Sequence, residues 1–232
     1  KNDSSLAEAY LLQAKIYQHK GEIESMSAFL ASALHQQPNH TEANIEAAKL
    51  LAKAKNIELA QKHLDTGLAS GASEYDHQLT QGLIYLHADD LQAAETALHS
   101  ALSVEPTSVE AYIGLTLTAL KQGDYKLALT TINKAKAINP NQENILLLKT
   151  RIHTLENDYP AAIAQAHELT MLFPNTPSNF YLEAALRDKT GDSEGAESTL
   201  RRAVTKNPKH IKAKISLANY LGNKDKTQRA ID

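Results

Sequence analysis

Residues 106–140, PTSVEAYIGLTLTALKQGDYKLALTTINKAKAINP, begin and end on proline and hold two apolar-rich stretches parted by Gln122-Gly123-Asp124-Tyr125. In the first stretch Ala111, Leu115 and Ala119 recur at helical spacing, and in the second Ala128, Ile132 and Ala135 do the same, as one face of an α-helix requires. Gly123 marks the stop of the first helix. Asp124 is placed to accept free N–H groups at the start of the second. Pro140 closes it, because the residue before a proline is driven out of helical geometry. The stretch predicts two helices folded back on each other.

The same layout recurs along the chain. Pro38, Pro106, Pro140, Pro174 and Pro208 are separated by 68, 34, 34 and 34 residues, and Ala72 stands in the missing slot. A fixed period of this size marks a solenoid of stacked repeats. Lines of 34 residues starting at Ala7, Thr41, Tyr75, Val109, Glu143, Pro177 and Ile211 need no insertion. The twentieth position reads Met26, Ala60, Ala94, Ala128, Ala162, Ala196 and Ala230, and the eighth reads Ala14, Ala48, Gly82, Thr116, Thr150, Ala184 and Ala218. Small residues in fixed columns let helices approach closely, so Ala128 and Ala162 are expected at tight contacts. Glu22, Asn56, Asp90, Asp124, Asp158 and Asp192 fall in the inter-helix turn as expected caps, and Pro160 sits in the first turn that follows, where its missing N–H is harmless.

These columns resemble the tetratricopeptide-repeat (TPR) family over residues 7–232, with residues 1–6 as a lead-in. The resemblance implies an all-α, right-handed superhelical solenoid of stacked antiparallel helix pairs. The first helix of each repeat would line a concave groove and the second an outer face. Some positions depart from the family pattern. The fourth, often aromatic, holds Asn44, Gln78 and Lys214, and the seventh, usually leucine, holds Gln13, Gln81, Lys149 and Glu183. The second repeat departs most, with Asn44, Gly67, Gly71 and Ala72, so a looser junction is expected between repeats two and three. The seventh line stops within its second helix and leaves the apolar face of residues 211–221 without its partner. That pattern is expected of a fragment of a longer protein, or of a chain that self-associates through this repeat.

Composition narrows the function. The chain has 24 Lys and Arg against 27 Asp and Glu, a net charge of −3, with no basic domain of the kind nucleic-acid binders carry. All five Arg follow residue 150. Cysteine is absent, which excludes disulfides, thiolate catalysis and cysteine-based zinc sites. No run of apolar residues is long enough for a transmembrane helix. The ten histidines fall in different columns, without the paired i, i+4 spacing of a helical zinc protease. No phosphate loop or nucleophile elbow occurs. Neither catalysis nor a cofactor is expected.

The resemblance carries groove-facing columns onto this chain. They supply Leu11, Ile45, Leu79, Ile113, Leu147 and Tyr181 at the fifth position, where aliphatic residues at helical spacing read equally as core or as groove. They supply Lys15, Lys49, Leu83, Leu117 and Arg151 at the ninth, where Leu83 and Leu117 are expected in the groove. Leu86 and Leu120 extend an apolar patch over repeats three and four. Such a patch suits an amphipathic helix or a peptide. The Lys and Asn pattern of a carboxylate clamp for chaperone tails is missing. The expected role is a non-catalytic protein-interaction scaffold within a larger bacterial protein of assembly or secretion. A recognition arm of a larger enzyme, such as a glycosyltransferase, and a self-assembling scaffold are the alternatives. The array also resembles TPR lipoproteins of exopolysaccharide export, which implies a periplasmic or envelope setting.

Overall fold

The computed structural model describes residues 4–223, and among these are thirteen helices and no strand. The chain forms two compact units, residues 1–124 and 125–232. The first holds α1 (Ser4–Lys20), α2 (Ile23–Gln36), α3 (Thr41–Lys53), α4 (Ile57–Ala69), α5 (Glu74–His87), α6 (Leu91–Val104) and α7 (Val109–Gln122). The second holds α8 (Tyr125–Ile138), α9 (Glu143–Leu155), α10 (Tyr159–Leu172), α11 (Pro177–Lys189), α12 (Ser193–Lys206) and α13 (Ile211–Asn223). Consecutive helices pack within each unit, and in the first α5 also lies against α3 and α7. The fold is that of the helical-repeat solenoids. The expected second helix of repeat seven falls in residues 224–232, outside the described residues.

The period fixes backbone geometry. The residue ending the first helix of every complete repeat is left-handed: Gly21, Lys55, Asp89, Gly123, Asn157 and Gly191 have φ of 72°, 62°, 64°, 78°, 60° and 83°. Glycine adopts this conformation at no steric cost, whereas a side chain such as that of Lys55 is strained by about 1 kcal/mol. Lys55→Gly is therefore expected to raise the unfolding free energy by about 1 kcal/mol, measurable as a higher urea midpoint. An unchanged or lower midpoint would contradict the strain. The turn acids cap in part. Asp90, Asp158 and Asp192 accept from the backbone N–H of Ala93, Ala161 and Gly195 at 3.1, 3.2 and 2.9 Å. Glu22 and Asn56 make no side-chain cap, and the longer Glu22 side chain instead accepts from Ser25 Oγ at 3.4 Å.

The prolines act through the residue before them. Gln37, Glu105, Phe173 and Asn207 end their helices at φ of −139°, −127°, −122° and −129°, the extended backbone that a following proline imposes. Where Ala72 replaces proline, α4 ends through Gly71 at φ 95°, and α5 starts at Glu74, one residue ahead of the repeat line.

Close approach explains the small columns. Ala60, Ala94, Ala162 and Ala196 are fully buried. A Cβ on Gly82 would fall 2.7 Å from Leu98 Cγ, and one on Gly114 2.9 Å from Leu98 Cδ2. Leu98 therefore fills the space that two missing side chains leave on α5 and α7. In the second unit the seventh position of its repeat places Glu183 in the core at 0% exposure. Its carboxylate accepts from Thr170 Oγ1 at 3.0 Å and Arg187 Nε at 3.0 Å. It also meets His167 Nδ1 at 3.1 Å and Arg202 at 3.7 Å.

Candidate partner-binding surface

The first helices α1, α3, α5 and α7 share a polar face in unit 1. Lys15 on α1 pairs with Glu42 on α3 at 2.6 Å, and Gln18 donates to Glu46 at 3.4 Å. Lys49 on α3 bonds Glu46 at 3.1 Å and reaches Glu110 on α7 at 3.3 Å. Burial works against the Lys49 charge, but Glu110 and Glu46 outweigh it and hold the ammonium well above its ordinary range. Lys49 is thus spent on ties within the unit, and this limits its use as a free contact.

The expected groove residues divide. Leu11, Ile45, Leu79 and Leu86 are at most 3% exposed and belong to the core, the other of the two readings open for the fifth column and a correction to the groove position expected of Leu86. The cause is local packing. Leu11 lies in a cluster with Met26 and Leu30, Ile45 is seated against Gly67, where an added Cβ would meet it at 3.0 Å, and Leu79 packs with Leu98 and Ala111. Leu83, Ile113, Leu117 and Leu120 are half-buried, and α5 and α7, which carry them, are in contact. Leu83 rests on the cluster of Leu79, Leu98 and Leu115. These four leucine and isoleucine side chains keep part of their surface on adjacent helices. In unit 2, Leu147 and Arg151 are exposed. Tyr181 instead packs on Ala184, Ala196 and Leu200, with its hydroxyl buried and unbonded.

At the far ends of α3, α5 and α7 the charge reverses. Lys121 pairs with Asp89. Burial, with Lys121, Lys53 and Lys55 close by, holds the His87 imidazole below its ordinary value. Burial and Lys62 do the same for His63, whose Nδ1 meets the buried Asn44 Oδ1 at 2.8 Å. Both imidazoles gain a proton near pH 6.5 in the unfolded chain but only at lower pH when folded. The unfolded state then binds more protons, so stability falls as pH drops through about 6.5. The urea midpoint is expected to be lower at about pH 5.5 than at about pH 7.5, with a smaller drop in a His63→Gln, His87→Gln chain. An equal drop in both chains would assign the effect elsewhere.

Sequence reading missed a second recess. Gln78 and Gln81 stand where the repeat pattern favours an aromatic residue and leucine, and with His77, Tyr85, Thr96 and Ser100 they line a polar cavity of about 690 Å³ along α5 and α6. Beside it, a cavity of about 570 Å³ opens between α4 and α5, at the junction expected to be loose. Gln61 and Gln81 exchange amide hydrogen bonds there, at 3.2 and 3.1 Å. The two departures at columns four and seven were the available sign. Among the described residues no group of three or more His, Cys, Asp or Glu could hold a metal, and no helix is long and apolar enough to cross a membrane.

With this geometry in place, comparison with known proteins gives a consistent likeness. Two tetratricopeptide-repeat family models match residues 45–102 and 85–152. No curated protein matches by sequence. Among solved structures, Pseudomonas aeruginosa pilF is similar at 18% identity, covering 93% of this chain and 98% of that one, with a TM-score of 0.58. PilW, described as a widely conserved type IV pilus biogenesis factor, is similar at 22% identity over 73% of this chain and 79% of its own, with a TM-score of 0.54. YrrB, described as having an unusual peptide-binding site, is similar at 21% identity over 79% of this chain and 95% of its own, with a TM-score of 0.51.

Proposed function

This chain is a tetratricopeptide-repeat protein, and we propose that it is a non-catalytic scaffold whose first unit holds a helix or peptide of another protein on the face of α5 and α7. The observation that carries this reading is the set of half-buried aliphatic side chains, Leu83, Ile113, Leu117 and Leu120, on two packed helices. Apolar surface of this kind favours association when a partner covers it. The likeness to a pilus biogenesis factor and to a peptide-binding repeat protein supports a role in bacterial envelope assembly or secretion.

The test is affinity capture from lysate of the source cells with wild type and with a Leu83→Lys, Leu117→Lys chain. Lysine can lay its aliphatic stem along the same surface, so helicity and melting are expected to stay near wild type while capture is lost. Equal capture by both would contradict the reading. Unfolding of the variant would assign both leucines to the core instead.

A second reading, self-association, is favoured by Ile211 and Ile215 on α13, which are 71% and 52% exposed. Concentration-dependent light scattering that disappears in Ile211→Lys, Ile215→Lys would support it, and scattering of a monomer at all concentrations would refute it.

A further inference from the structure

We propose that the face of α1, α3, α5 and α7 binds an amphipathic helix whose apolar stripe is bordered by basic residues on one side and acidic residues on the other, and that this charge order fixes the direction in which the helix lies. The inference rests on the scaffold reading and gives its partner a chemistry.

The charge order is set by two columns. The second position of the four repeats reads Glu8, Glu42, Asp76 and Glu110, and the thirteenth reads His19, Lys53, His87 and Lys121. Thus α3, α5 and α7 start acidic, α1 carries Glu8 one turn in, and all four have His or Lys in the last turn. Helix dipoles favour that arrangement in any helix, and α9 in unit 2 has it too, with Glu143 in its first turn and His153 in its last, but not in these two columns. There the second position holds Asn144, Ser178 and Lys212, and the thirteenth begins with Leu155 and Lys189. The two-column register, rather than the polarity itself, coincides with the unit that carries Leu83 and Leu117.

The columns lie along shared edges. Glu8 meets His40, the residue before α3, at 3.0 Å, and Lys15 and Lys49, farther along α1 and α3, reach Glu42 and Glu110 at the starts of α3 and α7. At the other edge Lys53 ends α3 with Lys55 in the turn after it, and Lys121 near the end of α7 pairs with Asp89 in the turn after α5. The lysines rather than His87 supply the positive charge there, since burial and these lysines hold its imidazole below its ordinary value. Glu8, Glu42 and Glu110 keep about half of their side-chain surface, at 54%, 50% and 48%. Lys15 and Lys49 offset part of the acidic edge, and Asp89 offsets part of the basic one.

Eleven residues separate the two columns, about 16 Å along a helix at 1.5 Å per residue. The half-buried aliphatic side chains lie between them. A helix about 10–12 Å across spans that strip and reaches both edges with Lys and Glu side chains. An extended strand is too narrow to meet both edges at once. Turning a helix end for end exchanges its flanks, so one direction pairs both edges and the other opposes like charges. Charge complementarity of this sort contributes mainly orientation and encounter rate.

The experiment uses the whole chain and fluorescein-labelled synthetic helices with one leucine stripe and four kinds of flank: Lys/Glu, Lys/Lys, Glu/Glu and Gln/Gln. Fluorescence anisotropy is expected to give the Lys/Glu helix about tenfold tighter binding than the others, an advantage that shrinks in high salt. A Lys53→Glu, Lys55→Glu chain is expected to prefer the Lys/Lys helix. A nitroxide on the N-terminus of the Lys/Glu helix should broaden amide signals of α1 or of α7, not both. Equal binding of Gln/Gln and Lys/Glu helices, both lost in Leu83→Lys, Leu117→Lys, would overturn the charge order and leave the scaffold reading standing. So would a Lys53→Glu, Lys55→Glu chain with unchanged preference. Broadening at both ends would overturn the fixed direction. Failure of all four helices to bind, or undiminished binding by the leucine variant, would overturn both readings.

Discussion

Replacing Glu183 with Ala is expected to lower the unfolding free energy by about 3 kcal/mol, read as a shift in the urea midpoint by circular dichroism. Glu183 is fully buried, and its carboxylate gathers Thr170, His167, Arg187 and Arg202. Truncation leaves a void in α11 and removes the acceptor those donors share. Replacement of a buried charge by an apolar group of similar size is far less costly than truncation. Glu183→Leu, the family's usual residue at this position, is therefore expected within about 1 kcal/mol of wild type. The arginines lose little in that variant. Arg187 keeps its 2.8 Å pair with Asp192, and Arg202 lies over the Phe180 ring, 5.5 Å from its centroid, with part of its surface in solvent. If Glu183→Leu were as damaging as Glu183→Ala, the network would be required for the fold itself.

The second large effect is overpacking. Ala162 is fully buried on α10 in a cluster with Ala166 and Leu186, flanked by Tyr159 and Leu182. Ala162→Leu adds three carbons where no space is left, at an expected cost of about 1–3 kcal/mol. Ala128→Leu, in the same column and also fully buried, is expected to cost a similar amount. Thermal melts check both, and an unchanged midpoint in either would contradict the repeat register.

The repeat register was legible because every line is 34 residues long without an insertion, so columns reinforce one another. Prolines, left-handed turn residues and alanine columns all answer to that one period. Burial of individual side chains was less legible. A column shared by Leu79 and Ile113 gives one fully buried residue and one half-buried residue, because α5 has α3 on one side and α7 on the other and Leu79 lies under Leu98 and Ala111. A column states which face of a helix a residue occupies, not how near the next helix comes. Lys49 shows the same limit: its column marks it as groove-facing, while its side chain reaches from α3 to Glu110 on α7.

Polar departures were visible, but their consequences were not. Glu183 stood out in a leucine column, yet its partners Thr170 and Arg202 come from helices on either side in sequence, and nothing in the spacing joins them. Asn44 stood out likewise. Its amide donates to the carbonyls of Pro38 and His40, both at 2.9 Å, which ties the proline turn to α3. Gln78 and Gln81 leave a cavity, since an amide fills less of the gap than an aromatic ring does, and their amides bond to Glu74 and Gln61 instead.

The central claim, that a partner lies on the face of α5 and α7, is tested most directly by photo-crosslinking in the source cells. A photoreactive residue is placed at Leu117 on that face in one chain and at the exposed His99 of α6 in another. The account predicts a discrete protein adduct from position 117 and none from position 99. An adduct from position 99 alone would contradict it and place the partner on the outer helices.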